Sequence, residues 1–288
     1  MQTTQLKLDE QLPLTCSRKG TCCHGNVVML NPWELYALAR TKNISSKEFR
    51  SEYCDMEGIQ LKFNGPKNSL GKQACSQYVE NFGCSLHAGR PLACRLFPLG
   101  RQIQNEKAHY MFQGTEFPCL NGCKEVLKLP KLSVQTYIKE QNTAPYEKAQ
   151  DAYLEVMQNI ADIAFELLLE TGLAESGDKK TLALWRKMGK ESASELAKRI
   201  GTNWMDILLT PAITSSLNDP NTFVQNHFEL LQISIQDKFS VLKTNMQLHE
   251  AAVLVMGLAL FLARSIGANP TELANYWADT AVNFGAQE

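Results

Sequence analysis

Cys16-Ser17-Arg18-Lys19-Gly20-Thr21-Cys22-Cys23-His24-Gly25 is the first of three short segments into which this chain gathers its sulfur. The second runs from Cys75 through Gly83-Cys84-Ser85-Leu86-His87-Ala88-Gly89-Arg90-Pro91-Leu92-Ala93-Cys94-Arg95, and the third is Cys119-Leu120-Asn121-Gly122-Cys123. All nine cysteines of the 288 residues lie here or at Cys54, and none follows Cys123. Such clustering has two ordinary causes, disulfides or a thiolate-bound metal. The opening MQTTQLKLDEQLPL has no basic stretch leading into an apolar run, so it does not read as an export signal. The expected location is cytoplasmic, where thiols stay reduced. Cys54, inside an apparent helix, reads as a small buried hydrophobe. Eight cysteines remain, an allowance of two four-cysteine sites or of one site with other cysteines beside it.

Around the cysteines the chain reads as short and irregular. Residues 1–15 suggest an extended arm, and Val27–Leu30 a short strand. Asn31, Pro32 and Glu34 carry the signature of a capped helix start, as do Ser45 and Glu48. Ile59, Leu61 and Phe63 alternate with polar residues, as in a half-buried strand. Leu99–Gln104 and Lys107–Gln113 suggest paired strands. From Ser133 the pattern becomes long helices: Pro145–Thr171, Asp178–Met188, Ser192–Ile200, a short one from Asn203, one from Asp219-Pro220 to about Met246, Leu248–Ile266, and a last one opened by Asn269-Pro270. The expected fold is α+β, mainly α. A cysteine-cluster metal-binding domain over 1–130 precedes a helical domain over 131–288. The boundary is soft, within 125–142, and leaves room for a shared core.

Charge follows the same division. Residues 1–130 hold 16 Lys/Arg against 11 Asp/Glu, and residues 131–288 hold 13 against 19, within a net charge of −1. Basic residues near the cysteines can offset the negative charge of metal-bound thiolates. The excess is thin for a nucleic-acid surface, so no nucleic-acid partner is expected. The longest apolar run, Ala251–Ala263, is short for a bilayer and reads as a buried helix, with no membrane span expected.

The chemistry resides in the cysteines and their neighbours. Cys16, Cys22, Cys23, Cys75, Cys84, Cys94, Cys119 and Cys123 are the candidate ligands. Neighbouring side chains point apart, which favours placing Cys22 and Cys23 on different centres or different irons. Only Cys119-x3-Cys123 approaches a zinc knuckle, and the ordinary ferredoxin spacing is missing. An iron–sulfur cluster is therefore the first choice and zinc the second. His24 and His87 are candidate ligands or donors to ligands. Arg90 and Arg95 are candidates to donate to cluster sulfur or to an anionic group. No dinucleotide or nucleotide-triphosphate glycine loop occurs, nor a zinc-protease, serine-hydrolase or radical-type cysteine motif. The enzyme question stays open. A protein partner or protein substrate is the expected contact of the helical half, and the oligomeric state is open.

Cys16 to Cys23 resembles the opening of the YkgJ-type cysteine-cluster proteins, described as zinc- or iron-chelating domains. The match continues through Cys75-Ser76-Gln77-Tyr78-Val79 and Gly83-Cys84, then Arg90-Pro91-x-x-Cys94-Arg95-x-Phe97-Pro98. This resemblance covers about residues 14–125. It implies metal chelation, with Cys16, Cys22, Cys23, Cys75, Cys84 and Cys94 at the family's cysteine positions and Cys119 and Cys123 where further cysteines often stand. The family has an additional cysteine inside the first block, and here Ser17–Thr21 supply none. Flagellin lysine N-methylases are similar in this cysteine region. Their activity is not implied here, since no methyl-donor site is recognisable.

Overall fold

The helices begin where side chains can satisfy the free N–H groups of a first turn. Asn31 and Glu34 form a reciprocal capping box on α1 (Pro32–Lys42), Ser45 caps α2 (Ser46–Tyr53), and Asn269 with Pro270 opens α11 (Pro270–Asn283). The computed structural model describes residues 3–15, 20–104, 107–113, 124–169, 178–215, 219–242 and 244–286. Between α1 and α11 lie α3 (Leu92–Leu96), α4 (Val134–Glu140), α5 (Ala144–Leu169), α6 (Asp178–Lys190), α7 (Ala193–Ile200), α8 (Thr202–Leu209), α9 (Pro220–Phe239) and α10 (Asn245–Ser265).

The strands are short. β1 (Thr3–Leu6), β2 (Gln11–Leu12), β3 (Cys54–Asp55), β4 (Gln60–Leu61), β5 (Tyr78–Val79), β6 (Gly83–Cys84), β7 (Gly100–Gln104), β8 (Lys107–Gln113) and β9 (Leu132–Ser133) form one three-stranded sheet, ordered β1-β8-β7, and three two-stranded pairs. All pairings are antiparallel. The N-terminal arm is thus an edge strand, with Thr3 opposite Gln113 and Leu6 opposite Tyr110. The fold is α+β and mainly α, irregular short elements preceding an all-α region.

Three expectations are adjusted. The strand expected over Val27–Leu30 is a single bridge, Met29 to Gln60, with Leu30 N–H donating to Ile59 and Leu61 N–H to Val28. The helix expected to reach Met246 stops at Phe239, because Thr244 and Gln247 form a capping box that starts α10. Cys54 follows α2 instead of ending it, and it is buried in the core as expected. The end of the helix expected to reach Thr171 lies outside the described residues.

α10 is the hub of the helical part, packed on α5, α6, α7 and α11. Every residue from Val255 to Ala263 is buried. Over Met246–Ser265 this helix has the length and apolarity to cross a membrane; its burial by the surrounding helices accounts for the apolar sequence. On α5, Tyr146, Ala149, Tyr153, Val156, Met157, Ile160, Ala161, Ala164 and Leu168 make the buried stripe, at the spacing of one helix face. The hydrophobic core runs without a break from Leu30, Trp33 and Ile59 into α5 and α10.

Polar links reinforce the junction. Arg101 of β7 pairs bidentately with Asp151 of α5 at 2.7 Å for both bonds, and the Tyr110 hydroxyl donates to Glu147 at 2.8 Å. Lys47 and Arg50 of α2 share Asp206 of α8.

Candidate metal centre

Gly20 sits at φ +70°, a left-handed conformation suited to glycine, and turns the chain into a short 3-10 turn, Thr21–Cys23. Cys23 N–H closes it on Gly20 C=O at 2.9 Å. Cys75 N–H donates to Cys23 C=O at 2.7 Å, stitching the first cysteine segment to the second. A bridge from His24 to Ala74 and the Gly25 N–H bond to Gln73 C=O extend the seam. The hairpin β5–β6 then returns the chain, with Tyr78 opposite Cys84. Cys94 comes in on α3.

These segments place Cys22, Cys23, Cys75, Cys84 and Cys94 around one cavity of about 1470 Å³, together with His24, His87 and Arg90. The sulfurs are close enough to feel one another's charge. Cys94 is affected by Cys75, Cys84 and Cys22; Cys75 by Cys84 and Cys22; and Cys84 by Cys22. All six pairings among Cys22, Cys75, Cys84 and Cys94 are therefore present. Cys23 joins through Cys22, Cys94 and Cys84. The six described cysteines are free thiols.

Burial is the largest effect on Cys75, Cys84 and Cys94, and it raises all three thiols above their ordinary value. Cys22 differs. The Cys23 thiol donates to its sulfur, and with Arg90 nearby it is held down to about 7, while Cys23 is pushed up by the same bond. Two backbone N–H groups repeat one device: Gln77 donates to the Cys75 sulfur and Leu86 to the Cys84 sulfur, each two residues on, each favouring the thiolate.

This donor set suits a soft cation. Burial and mutual repulsion favour the neutral thiol at Cys75, Cys84 and Cys94, and a bound cation would reverse both effects. The gathering is looser than the sequence led one to expect. Among the described residues, no three His, Cys, Asp or Glu side chains surround a single point closely enough to hold one ion as they stand. Cys16, Cys119 and Cys123 lie outside the described residues.

The remaining candidates divide. Arg90 brings positive charge to the thiols: it lowers Cys22, Cys84 and Cys94 and is held by donating to His87 C=O at 3.2 Å and to Gln141 Oε1 at 2.9 Å. Arg95 is buried, and its guanidinium is committed elsewhere. It donates to the carbonyls of Arg90 and Gln141 at 2.7 Å each, to Ala88 C=O and to the Tyr146 hydroxyl, and it stacks on the Tyr146 ring. It ties the Arg90–Arg95 block to the α4–α5 junction, a structural task in place of the expected contact with sulfur. His24 lines the cavity, with Nδ1 bonded to Gly20 C=O at 2.9 Å and its ring edge-on to Tyr78. His87 is exposed at the start of a 3-10 turn and also lines the cavity.

Glu34 is the residue that the sequence did not place here. Its reciprocal cap on α1 is readable locally, but its second bond, from Leu92 N–H at 2.7 Å, spans 58 residues and leaves no sequence signal. Its carboxyl is raised to about 7 by burial, against the two N–H donors and Arg95 that lower it.

No curated protein and no solved structure matches the chain. Read against the family pattern Cys-x2-Cys-x2-Cys-Cys, residues 16–23 supply Cys16, Cys22 and Cys23, with Lys19 at the second cysteine position. Residues 15–113, about a third of the chain and the part that carries the gathered thiols, match the CxxCxxCC family model, described as "Putative zinc- or iron-chelating domain".

Proposed function

We propose that this protein binds a cysteine-ligated metal centre, an iron–sulfur cluster as the first reading, through Cys22, Cys75, Cys84 and Cys94, with Cys23 as a fifth thiol. One observation carries the reading: those four cysteines line one cavity, near enough for the charge of each to bear on the other three. All-sulfur sets of four suit zinc and iron–sulfur centres alike. A cavity of about 1470 Å³ has space for the larger of the two. Arg90 offsets the thiolate charge, and the N–H groups of Gln77 and Leu86 favour the thiolate at two sulfurs, against the burial that raises both. Free thiols of this kind belong in a reducing compartment. A second reading, an enzyme using the centre on a protein substrate, draws on the cavity's size, well beyond what four ligands need.

Anaerobic purification followed by metal and acid-labile sulfide analysis tests the proposal. Iron with matching sulfide and visible charge-transfer absorption is the expected result. Colourless protein with stoichiometric zinc would select the zinc centre. Protein that takes up neither, under reducing conditions and with metal supplied, would remove the reading.

A further inference from the structure

We propose that Glu34 is the positioning residue for Cys94, and that the helical half reaches the thiol set through it. The inference rests on reading Cys94 as a ligand. Glu34 is 3% exposed. One carboxyl oxygen accepts the Asn31 N–H at 3.1 Å, closing the start of α1. The other accepts the Leu92 N–H at 2.7 Å. Leu92 is the first residue of α3, and the residue before it, Pro91, has no side-chain acceptor to cap that helix. Glu34 supplies from 58 residues away the acceptor that a local cap normally provides. Cys94 follows two residues later, its own N–H donating to Pro91 C=O at 3.0 Å. The first turn that aims this sulfur is thus fixed by a group on another helix.

The chemistry asks for a carboxyl group, with two oxygens able to accept. Two N–H donors converge on the side chain, one at each oxygen. An amide would offer one acceptor and set an N–H against the second donor. Leaving either buried N–H unpaired carries the full desolvation penalty.

The chain of bonds continues away from the thiols. Asn31 accepts the Glu34 N–H on Oδ1 at 2.9 Å, and its Nδ2 donates to Gln150 Oε1 of α5 at 3.3 Å. Gln150 Nε2 donates to the Ile266 C=O, just beyond α10, at 2.6 Å. Ile266, Gln150, Glu34, Leu92 and Cys94 all line the one cavity. The seat of Cys94 is therefore continuous with the packing of the two principal helices.

The test uses the full chain with Co²⁺ as probe, whose sulfur-to-metal absorption counts thiolate ligands. Glu34→Gln is expected to weaken Co²⁺ at least about ten-fold in chelator competition. It is also expected to cost about one thiolate's share of the charge-transfer intensity, roughly a quarter in a four-sulfur site. In the loaded variant Cys94 becomes the sulfur most open to iodoacetamide, read by mass spectrometry. Gln150→Leu, which leaves the carboxyl in place, shifts affinity and Cys94 labelling in the same direction by less, and it decides the matter should Glu34→Gln fail to fold. Unchanged Co²⁺ affinity with Cys94 still protected would overturn the proposal, even if the melting point fell. Should the wild type bind no Co²⁺, the metal reading falls by itself. The labelling rate of Cys94 in metal-free protein then decides: faster in the variants supports the positioning role, and equal rates overturn it.

Discussion

The helical half and the cysteine half solve the same problem with different materials. From Ala144 onward, stability comes from apolar area: α10 is buried from Val255 to Ala263, and Tyr153, Trp185, Phe223 and Trp277 fill the spaces between helices. From Gly20 to Leu99, outside α1 and α2, there are two-residue strands, a five-residue helix and tight turns, held by single backbone bonds and by buried Glu34 and Arg95. Apolar packing is redundant, whereas a scaffold of individually necessary polar bonds is not, and in the second case a bound cation can contribute much of the folding free energy. The contrast teaches where each kind of perturbation should be felt.

The largest effect should follow from removing sulfur. Cys84→Ser and Cys94→Ser are expected to abolish stoichiometric metal binding and to raise amide hydrogen exchange over residues 20–104 while leaving α5 and α10 protected. Equal deprotection of both halves would break the comparison. Next, Trp185→Ala should cost about 3–5 kcal/mol, the usual penalty for emptying a large buried site, with metal content per folded molecule unchanged. A parallel loss of metal in denaturant-free protein would show that the halves are not separable in this way.

Acid and base should then distinguish the halves by sign. Glu34 has a folded-state value raised to about 7 from 4.5, so the folded protein holds its proton longer than the unfolded chain does. Its contribution is fully present below pH 4.5 and is lost as pH rises through 7, roughly 3 kcal/mol in all. His227, between the Tyr153 hydroxyl and the Ile207 carbonyl, behaves oppositely. Burial lowers it to about 4 from 6.5, so its contribution is full above 6.5 and is lost as pH falls through 4, again roughly 3 kcal/mol. Urea unfolding of metal-free protein across this range should show Glu34→Gln flattening the alkaline limb and His227→Gln the acidic one. Either variant flattening the wrong limb would refute the assignment. Smallest of all, Asp151→Asn should cost about 1 kcal/mol or less. Its partner Arg101 is largely buried, but Asp151 itself is 45% exposed, and solvent screens the pair.

What the sequence disclosed follows the range of the forces involved. Capping boxes are local, so Asn31 with Glu34, Ser192 with Glu195, and Asn269 could be read in place. Thr244 with Gln247 is equally local, and it sets the start of α10 apart from the end of α9. The gathering of Cys22, Cys75, Cys84 and Cys94 was legible as composition, because nine cysteines crowded into the first 123 residues call for a shared cause. Their arrangement was not legible, because the Cys23–Cys75 seam and the Glu34–Leu92 bond join residues 52 and 58 apart. Arg95 shows the complementary failure. Its charge was visible, but its duty is set by the carbonyls of Ala88, Arg90 and Gln141 and by Tyr146, and carbonyls leave no trace in a sequence.

Gly20 leaves room for almost nothing. A methyl group there would lie 2.5 Å from the Tyr78 ring, on a backbone at φ +70°. Alanine at this position would be a wedge between the two cysteine-bearing segments, prising Cys22 and Cys23 away from Cys75 and Cys84 without altering a single sulfur.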